Sequence, residues 1–232
     1  MPVRRSIVGI DSPARLAAAL DAAQYLADDG LSTAGYLALA LGKPLLLEGA
    51  PGVGKTEAAK AIASVLGRNL IRLQCYEGID AAAALYEWNY PRQMLAIRQA
   101  GDTYLNIYGD DFLIARPMLD ALRNPKDSVL LIDEIDRSDH EFEAFLLEFL
   151  SDFQISIPER GTVRAEEAPV VILTSNRTRE IHDALRRRCV YHWIGYPDPM
   201  REAQIVMMRA STVARETADA VVAAVGRLRQ EP

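Results

Sequence analysis

The sequence predicts an α/β protein with three layers, α/β/α, around a central parallel sheet of about five strands, followed by a short helical segment. Two observations predict this fold. Continuous apolar runs of strand length recur along the chain between turn residues, as in strands that helices cover on both faces. Amphipathic segments of helix length separate these runs, and such alternation is typical of a parallel sheet.

The elements follow from local patterns. Strands are predicted, in chain order, over 44–47, 70–74, 128–132, 170–174 and 189–194. Helices are predicted over 13–29, 32–41, 55–66, 80–100, 116–123, 138–151 and 178–187. In the first helix the spacing places Leu16 and Leu20 on one face, Asp11 or Ser12 at the N-cap, and Gly30 at the end.

Beyond Pro197 the pattern is helical only, with helices predicted at about 199–210 and 212–229. We therefore expect a domain boundary near residue 196. The α/β domain would cover residues 1–196, including the N-terminal helices within 11–42, and a partial helical lid would cover 197–232.

Composition limits the classes of protein that are possible. The 232 residues are 50% hydrophobic and 25% charged, which excludes a disordered or collagen-like chain. No apolar run is long enough to span a membrane, and no secretory signal is seen at the N-terminus. The two cysteines, Cys75 and Cys189, fit a reducing compartment, so we expect a cytoplasmic protein. The net charge of -6 argues against direct nucleic-acid binding.

The most specific motif follows the first predicted strand and opens a helix. It matches G-x-x-x-x-G-K-[ST] in full, as Gly49, Ala50, Pro51, Gly52, Val53, Gly54, Lys55 and Thr56. In such a loop the glycines let backbone N–H groups turn inward around a β-phosphate. The lysine adds a positive charge at the β- and γ-phosphates, and the threonine hydroxyl is a ligand for Mg²⁺. The alternative is a plain glycine turn.

A second motif ends the strand at 128–132. Asp133 is in the position where a carboxylate holds Mg²⁺, and Glu134 is in the position to activate a water molecule, which a hydrolase needs. Taken alone, the pattern also fits a buried strand that runs into an acidic surface turn. A P-loop upstream favours the phosphate-binding interpretation.

Two weaker signals lie further along the chain. Asn176 follows the strand at 170–174, at the sheet edge where ligands bind in open α/β folds, although Ser-Asn after a strand is often only a turn. Arg186, Arg187 and Arg188 lie between a predicted helix and a strand. They form either a solvated basic patch or an arginine finger for the γ-phosphate of a neighbouring subunit.

In this order, the segments GAPGVGKT, LLIDEID, LTSN and ALRRRC resemble an AAA+ ATPase, a P-loop NTPase, over about 31–210. More narrowly, segments such as LIRLQCYEGID and LLIDEIDRSDHEFEAFLLEFLSDFQISIPERG resemble the MoxR branch. Within it they are most similar to the CoxD-type ATPases for maturation of molybdenum hydroxylases such as carbon monoxide dehydrogenase.

The resemblance implies roles for single residues. Gly49 to Thr56 and Asp133 would bind ATP, with Thr56 and Asp133 on Mg²⁺. Glu134 and Asn176, the sensor-1 position, would be catalytic, and Arg188 is the best match for the finger, ahead of Arg186 and Arg187. Gln74 would restrain Glu134.

The resemblance also implies partners. These are further copies of the chain in a ring, a hexamer; a protein with a von Willebrand A (VWA) domain; and a molybdenum hydroxylase as client. Membrane contact would be peripheral and through partners. Two insertions are implied, within 86–112 and 152–168, and alternation over 154–157 independently predicts a hairpin in the second. Trp88, Tyr90, Tyr104 and Tyr108 either contact a client or pack under their own loop.

The sequence departs from the family pattern at its lid, which is shorter than usual, by reduction or truncation. A sensor-2 arginine is not placed among Arg215, Arg227 and Arg229. Three other functions remain open: a nucleic-acid-associated AAA+ motor, a nucleotide-gated interaction module with little hydrolysis and, less favoured because of Glu134, a small-molecule kinase.

Overall fold

The computed structural model of the protein describes residues 9–101, 103–210, 212 and 214–229, with the side chain of residue 81 excepted. The parts of the predictions that fall on residues 1–8, 102, 211, 213 and 230–232 lie outside the described residues.

The elements alternate along the chain. The helices are α1 (Pro13–Ala22), α2 (Asp29–Leu41), α3 (Lys55–Val65), α4 (Ala81–Ala84), α5 (Tyr90–Ala100), α6 (Pro117–Arg123), α7 (His140–Asp152), α8 (Asp183–Arg186), α9 (Pro199–Arg209) and α10 (Arg215–Leu228). The strands are β1 (Leu45–Glu48), β2 (Asn69–Gln74), β3 (Tyr86–Trp88), β4 (Leu113–Ala115), β5 (Ser128–Asp133), β6 (Gln154–Ile157), β7 (Gly161–Arg164), β8 (Val170–Ser175) and β9 (Val190–Trp193). Short 3-10 turns cover Asp110–Phe112 and Ile135–Arg137.

Five strands form a parallel sheet in the order β2-β5-β8-β1-β9, and this confirms the predicted fold class. The continuous apolar runs predicted all five, each bound within one residue. In the register, Ile132 of β5 is opposite Leu173 of β8, and Leu47 of β1 is opposite Thr174. The carboxyl ends of the three central strands therefore meet at one edge of the sheet.

Each face of the sheet is covered by its own layer of helices. Successive residues of β5 point to opposite faces, so that Leu130 and Ile132 pack in one buried cluster and Val129 and Leu131 in the other. The first cluster includes side chains of α6 and α7, and the second includes side chains of α1, α2 and α3. This burial on both faces explains why the strands have no polar alternation.

The N-terminal helix is shorter than predicted. Ser12 is its N-cap, and its hydroxyl accepts the N–H of Arg15, but the helix ends at Ala22 and Gln24 has a positive φ of 58°. Asp28 then caps α2 by accepting the N–H of Leu31 at 2.6 Å. The prediction of a helix over 13–29 that ends at Gly30 is therefore wrong, because the Asp28 cap starts the next helix there.

The helix predicted over 80–100 is also wrong as a single element. The chain forms α4, then β3, and then α5, with Asn89 as the N-cap and Pro91 in the first turn of α5. Strand β3 pairs in antiparallel register with β4, which follows α5 in the chain, so residues 86–88 form a strand instead of continuing the helix. Both strands lie in or directly after the first implied insertion, 86–112.

The aromatic residues of this region are divided between two environments. Trp88 is buried and makes edge-to-face contacts with Tyr86 and Tyr108. Tyr90 and Tyr104 are 64% and 91% exposed. Trp88 therefore packs under its own loop. Of the four aromatic residues, Tyr90 and Tyr104 are the two that expose most of their surface to a partner.

The second implied insertion contains the predicted hairpin. Strands β6 and β7 pair in antiparallel register, and Gly161 starts the return strand with a positive φ of 86°. Ile155 and Ile157 are buried in the same cluster as α7, so one face of the hairpin belongs to the core.

Two helices follow the sheet in the part of the chain that the structure describes. Helices α9 and α10 pack together, and Arg229 forms an ion pair with Glu202 of α9. Arg209 of α9 also binds Glu57 of α3 at 2.8 Å. None of the described helices is both long and apolar enough to cross a membrane. The helix predicted over 178–187 is reduced to α8.

We predict that Phe149→Ala lowers the free energy of unfolding by about 3–5 kcal/mol, because it leaves a cavity beneath α7. The Phe149 side chain is 1% exposed and is among the largest of the fully buried side chains. Urea unfolding would measure the change. Val221→Ala, at a half-exposed position of α10, is the control and should cost about 0.5 kcal/mol or less. A loss for Phe149→Ala no larger than that of the control would contradict the prediction.

Candidate functional site

The glycine-rich loop connects β1 to α3, and its glycines are required by its geometry. A Cβ atom on Gly49 would lie 2.2 Å from the carbonyl oxygen of Ile194, so no larger residue fits there. Gly52 and Gly54 have φ angles of +82° and +95°, which L side chains rarely adopt. The loop therefore brings free backbone N–H groups to the N-terminus of α3, an arrangement that suits an anion.

Lys55 is buried at the first position of α3. Its Nζ donates to the carbonyl oxygens of Gly49 at 2.7 Å and Ala50 at 2.8 Å. Burial lowers the pKa of Lys55 from its ordinary value, while the neighbouring carboxylates of Asp136, Asp133 and Glu134 oppose that shift. The side chain thus presents a positive charge close to three acidic residues.

Asp133 ends β5 with a buried carboxylate. Its Oδ1 accepts hydrogen bonds from the hydroxyls of Thr56, at 3.2 Å, and Thr174. Its Oδ2 accepts from Arg72, whose Nε lies 2.9 Å away. The hydroxyl of Thr56 and the carboxylate of Asp133 are oxygen ligands of the kind that Mg²⁺ prefers. No group of three His, Cys, Asp or Glu side chains able to hold a metal was found among the described residues, so this pair alone would leave most coordination positions to phosphate and water.

Glu134 comes next and has a left-handed backbone, with φ 56°. Its Oε2 accepts a hydrogen bond from Gln74 Nε2 at 3.0 Å and forms an ion pair with Arg137, whose Nε lies 2.9 Å away. Its Oε1 is 3.4 Å from Asn176 Nδ2. The structure therefore brings Glu134, Asn176 and Gln74 together, as the resemblance implies.

Asp136 fixes the loop that carries Asn176. It is 3% exposed, and its two carboxylate oxygens accept the N–H of Asn176 at 3.1 Å, the N–H of Thr178 at 2.9 Å and the hydroxyl of Thr178 at 2.6 Å. Burial alone would raise the pKa of Asp136, but these hydrogen bonds together hold it below the ordinary value. Sequence analysis missed this residue, although an acid three positions after Asp133 was visible.

The loop after β8 has a second anchor. The buried carboxylate of Glu143 on α7 forms an ion pair with Arg179 and accepts the N–H of His182 at 2.8 Å. Asp136 and Glu143 together bind polar groups of Asn176, Thr178, Arg179 and His182. This explains why the helix predicted over 178–187 forms only at its end.

Two adjacent cavities meet at the glycine-rich loop. One, of about 300 Å³, is lined by Pro51, Gly52, Gly54, Lys55, Thr56, Glu57, Asp133, Glu134, Thr174 and Asn176. The other, of about 520 Å³, shares Gly52, Gly54 and Glu57 and is also lined by Val53, by residues 24–26 and 28, and by residues of α9. The site thus has a small, charged part and a larger, mixed part.

Sequence analysis missed the walls of the larger cavity, which come from distant parts of the chain. Burial raises the pKa of Tyr25 to about 12. Arg201 of α9 donates to the carbonyl oxygen of Leu26 at 3.0 Å. Of the three sensor-2 candidates, Arg229 lines this cavity and stacks over Tyr196, whereas Arg215 lies near Asp219.

Arg188 is not brought to the site of its own chain. Its Nε donates to Ser151 Oγ at 3.0 Å and its Nη1 to the carbonyl oxygen of Ala184 at 3.2 Å. Arg186 lies over the ring of Tyr191, and Arg187 is exposed. None of the three lines either cavity, so any contact with a bound phosphate would have to be made on another subunit.

The family model described as AAA, ATPase family associated with various cellular activities, matches residues 45–194, from β1 to the residue after β9. This match covers more than half of the chain. The protein therefore belongs to the AAA ATPase family.

Among individual proteins, the chain is similar to Protein NorQ of Paracoccus denitrificans (strain Pd 1222). The two are 25% identical over 218 residues, which is 91% of this chain and 74% of NorQ. The fold is also similar to the crystal structure of a candidate ATPase from Cytophaga hutchinsonii, with a TM-score of 0.52 and 18% identity over 80% of this chain. The chain spans about half, 54%, of the length of that structure.

We predict that Asp136→Asn lowers the free energy of unfolding by about 2 kcal/mol at neutral pH, because the amide replaces a charged acceptor. The folded pKa of Asp136 lies below its ordinary value of 3.8, so this contribution is present above about pH 4 and is lost as the pH falls through the folded pKa. The difference between wild type and variant should therefore shrink in acid.

Urea unfolding of both proteins from about pH 7 to pH 3 would measure this difference. Asp219→Asn, at an exposed position on α10, is the control, and its effect should be small at every pH. A difference between wild type and Asp136→Asn that stays constant over the range would contradict the prediction.

Proposed function

We propose that the protein binds ATP with Mg²⁺ and hydrolyses it. One observation carries this proposal: Lys55, Thr56, Asp133, Glu134 and Asn176 all line one cavity of about 300 Å³. These side chains come from three separate parts of the chain, and each has the chemistry that phosphate binding or hydrolysis requires.

The two cavities bind different parts of the nucleotide. The loop at 49–56 and the N-terminus of α3 bind the β- and γ-phosphates, with Lys55 as the positive charge. The larger cavity, between residues 24–28 and α9, holds the base and ribose, because it is continuous with the loop and has apolar as well as polar walls.

Thr56 and Asp133 hold Mg²⁺ through the hydroxyl and carboxylate oxygens, and the ion supplies positive charge to the β- and γ-phosphates when bound. Glu134 accepts a proton from the attacking water, and Asn176 helps to orient that water. A second carboxylate after the metal-binding aspartate favours hydrolysis over transfer to a small molecule.

Arg188 acts on the site of a neighbouring subunit in a ring, proposed as a hexamer. Its exposure and its distance from the cavities of its own chain support an action in trans. A guanidinium can stabilise the charge that develops on the γ-phosphate.

At the level of biological role, we propose a MoxR-type chaperone in the cytoplasm that remodels a protein client with a VWA-domain partner. The client proposed is a molybdenum hydroxylase. The resemblance of the motifs to CoxD-type ATPases supports this role, and the likeness to NorQ is compatible with the same branch. Residues 1–196 would be the nucleotide-binding domain, and 197–232 a partial lid.

We predict that Glu134→Gln lowers kcat for ATP hydrolysis by about a hundredfold or more, because the water loses its general base. ATP affinity should stay within about threefold of wild type, since the phosphate-binding groups are unchanged. Steady-state phosphate release and binding of a fluorescent ATP analogue would measure the two effects, with particle mass determined in the same buffer.

Glu141→Gln, at an exposed position of α7, is the matched control and should behave as wild type. Turnover of Glu134→Gln equal to that of wild type would overturn the catalytic assignment. Tight ATP binding by a wild-type ring without turnover would favour the nucleotide-gated interaction module.

We predict that Arg188→Ala also lowers kcat of the ring by about a hundredfold or more. Mixing this variant with Glu134→Gln should restore part of the activity. A ring of Arg188→Ala and Glu134→Gln subunits has some interfaces with an intact Glu134 on one side and an intact Arg188 on the other. Phosphate release by the mixture should exceed that of either variant alone.

Arg187→Ala is the comparison, because its side chain is exposed and adjacent. Loss of turnover in Arg187→Ala but not in Arg188→Ala would move the finger to residue 187. Absence of recovery in the mixed ring would contradict an action in trans.

A further inference from the structure

Arg72 is an arginine next to the acidic pair that neither the motifs nor the family resemblance assigns. It lies on β2, an edge strand of the sheet, two residues before Gln74. Its guanidinium contacts two groups. Nε and Nη2 approach Asp133 Oδ2 at 2.9 Å and 2.6 Å, and Nη2 also donates to the amide oxygen of Gln74.

This contact decides which way the Gln74 amide faces. A guanidinium can only donate hydrogen bonds, and an ionised carboxylate can only accept them. Gln74 lies between the two, so its oxygen must face Arg72 and its NH₂ group must face Glu134. The 3.0 Å bond from Gln74 Nε2 to Glu134 Oε2 therefore depends on Arg72.

The same bond determines which oxygen of Glu134 is free. A carboxylate oxygen offers two lone pairs. Gln74 donates a hydrogen bond to Oε2, and the guanidinium of Arg137 forms an ion pair with the same oxygen at 2.9 Å. On Oε1, Asn176 is the one hydrogen-bond donor among the described residues, at 3.4 Å, so one lone pair remains beside a residue that lines the smaller cavity.

We propose that Arg72 is a positioning residue that orients the Gln74 amide and thereby keeps Glu134 Oε1 as the oxygen that accepts the proton from water. This inference rests on the proposed ATPase function. Arg72 itself touches neither substrate nor water in it. Its attachment to Asp133 holds the guanidinium in place, although the side chain is 52% exposed.

Without Arg72, the Gln74 amide can turn its oxygen towards Glu134, where two acceptors repel each other. Glu134 then loses the hydrogen bond from Gln74, keeps the ion pair with Arg137 on Oε2, and rotates more freely. The glycine-rich loop and Lys55 are not altered. Asp133 loses its ion pair with Arg72 but keeps its hydrogen bonds from Thr56 and Thr174, so the kinetics are to be measured at saturating Mg²⁺. The loss should therefore appear in kcat and hardly in KM.

We predict that Arg72→Ala lowers kcat for ATP hydrolysis about tenfold, with KM and analogue binding within about twofold of wild type. In a Gln74→Ala background, the same substitution should change kcat by less than about twofold, because its effect passes through the amide. Arg116→Ala, which removes an arginine from the exposed ion pair with Glu87, is the matched control for loss of a surface arginine.

A kcat of Arg72→Ala within twofold of wild type, or an effect fully additive with that of Gln74→Ala, would overturn the proposal. Thermal unfolding of each variant against Arg116→Ala separates loss of positioning from loss of folding. The two proposals fail differently. If wild type hydrolyses ATP, Glu134→Gln does not, and Arg72→Ala is unaffected, only the role of Arg72 is wrong.

A spectroscopic measurement tests the orientation without turnover. The side-chain NH₂ signals of Gln74, assigned by their absence in Gln74→Ala, would be followed in ¹⁵N-labelled protein. Arg72→Ala should shift them, because the amide loses its partner, and Arg116→Ala should not. Signals that stay in place in Arg72→Ala would overturn the proposal even if wild type shows no hydrolysis.

Discussion

The hydroxyl of Thr174 joins the two strands on which the site depends. It donates to the carboxylate of Asp133 and accepts the N–H of Glu134 at 2.9 Å. It can do so because the parallel register of β5 and β8 places their carboxyl ends side by side. Strand β1, on the other side of β8, ends at the same level and continues into the glycine-rich loop. The site is therefore built at the edge of the sheet where the carboxyl ends of the parallel strands meet, as expected for an open α/β sheet.

This arrangement concentrates charge in the interior. Lys55, Asp133, Asp136 and Glu143 are all buried. A buried charge costs several kcal/mol unless hydrogen bonds and an opposite charge compensate. Each carboxylate has such partners here: Asp133 has two hydroxyls and Arg72, Asp136 has the Asn176–Thr178 loop, and Glu143 has Arg179. Since the hydrogen bonds of Asp136 go to Asn176 and Thr178, and Glu143 binds Arg179 and His182, compensation of charge also fixes the position of Asn176.

The sequence predicts the sheet well and the surroundings of the site less well, and the reason is physical. A strand buried on both faces is apolar throughout, so short runs such as LLL or VLLI, bounded by turn residues and separated by helical segments, indicate such strands. Arg72 is different, because its pattern, LIRLQ, shows only a polar residue on an edge strand, and its partner is 61 positions away. Tyr25 and Arg201 meet the glycine-rich loop only through the tertiary fold. In the helix predicted over 13–29, the apolar periodicity continues although the helix itself ends at Ala22. A second helix then begins at Asp29, with Asp28 as its N-cap.

The pair formed by Arg209 and Glu57 has a mechanical consequence. Glu57 directly follows Thr56, in the first turn of α3, whereas Arg209 is the last residue of α9. The pair therefore connects the C-terminal helices directly to α3, the helix that begins at the glycine-rich loop. A displacement of α9 would therefore reach the glycine-rich loop through one ion pair and a single turn of α3. Since both side chains of the pair are about half exposed, added salt would weaken this link.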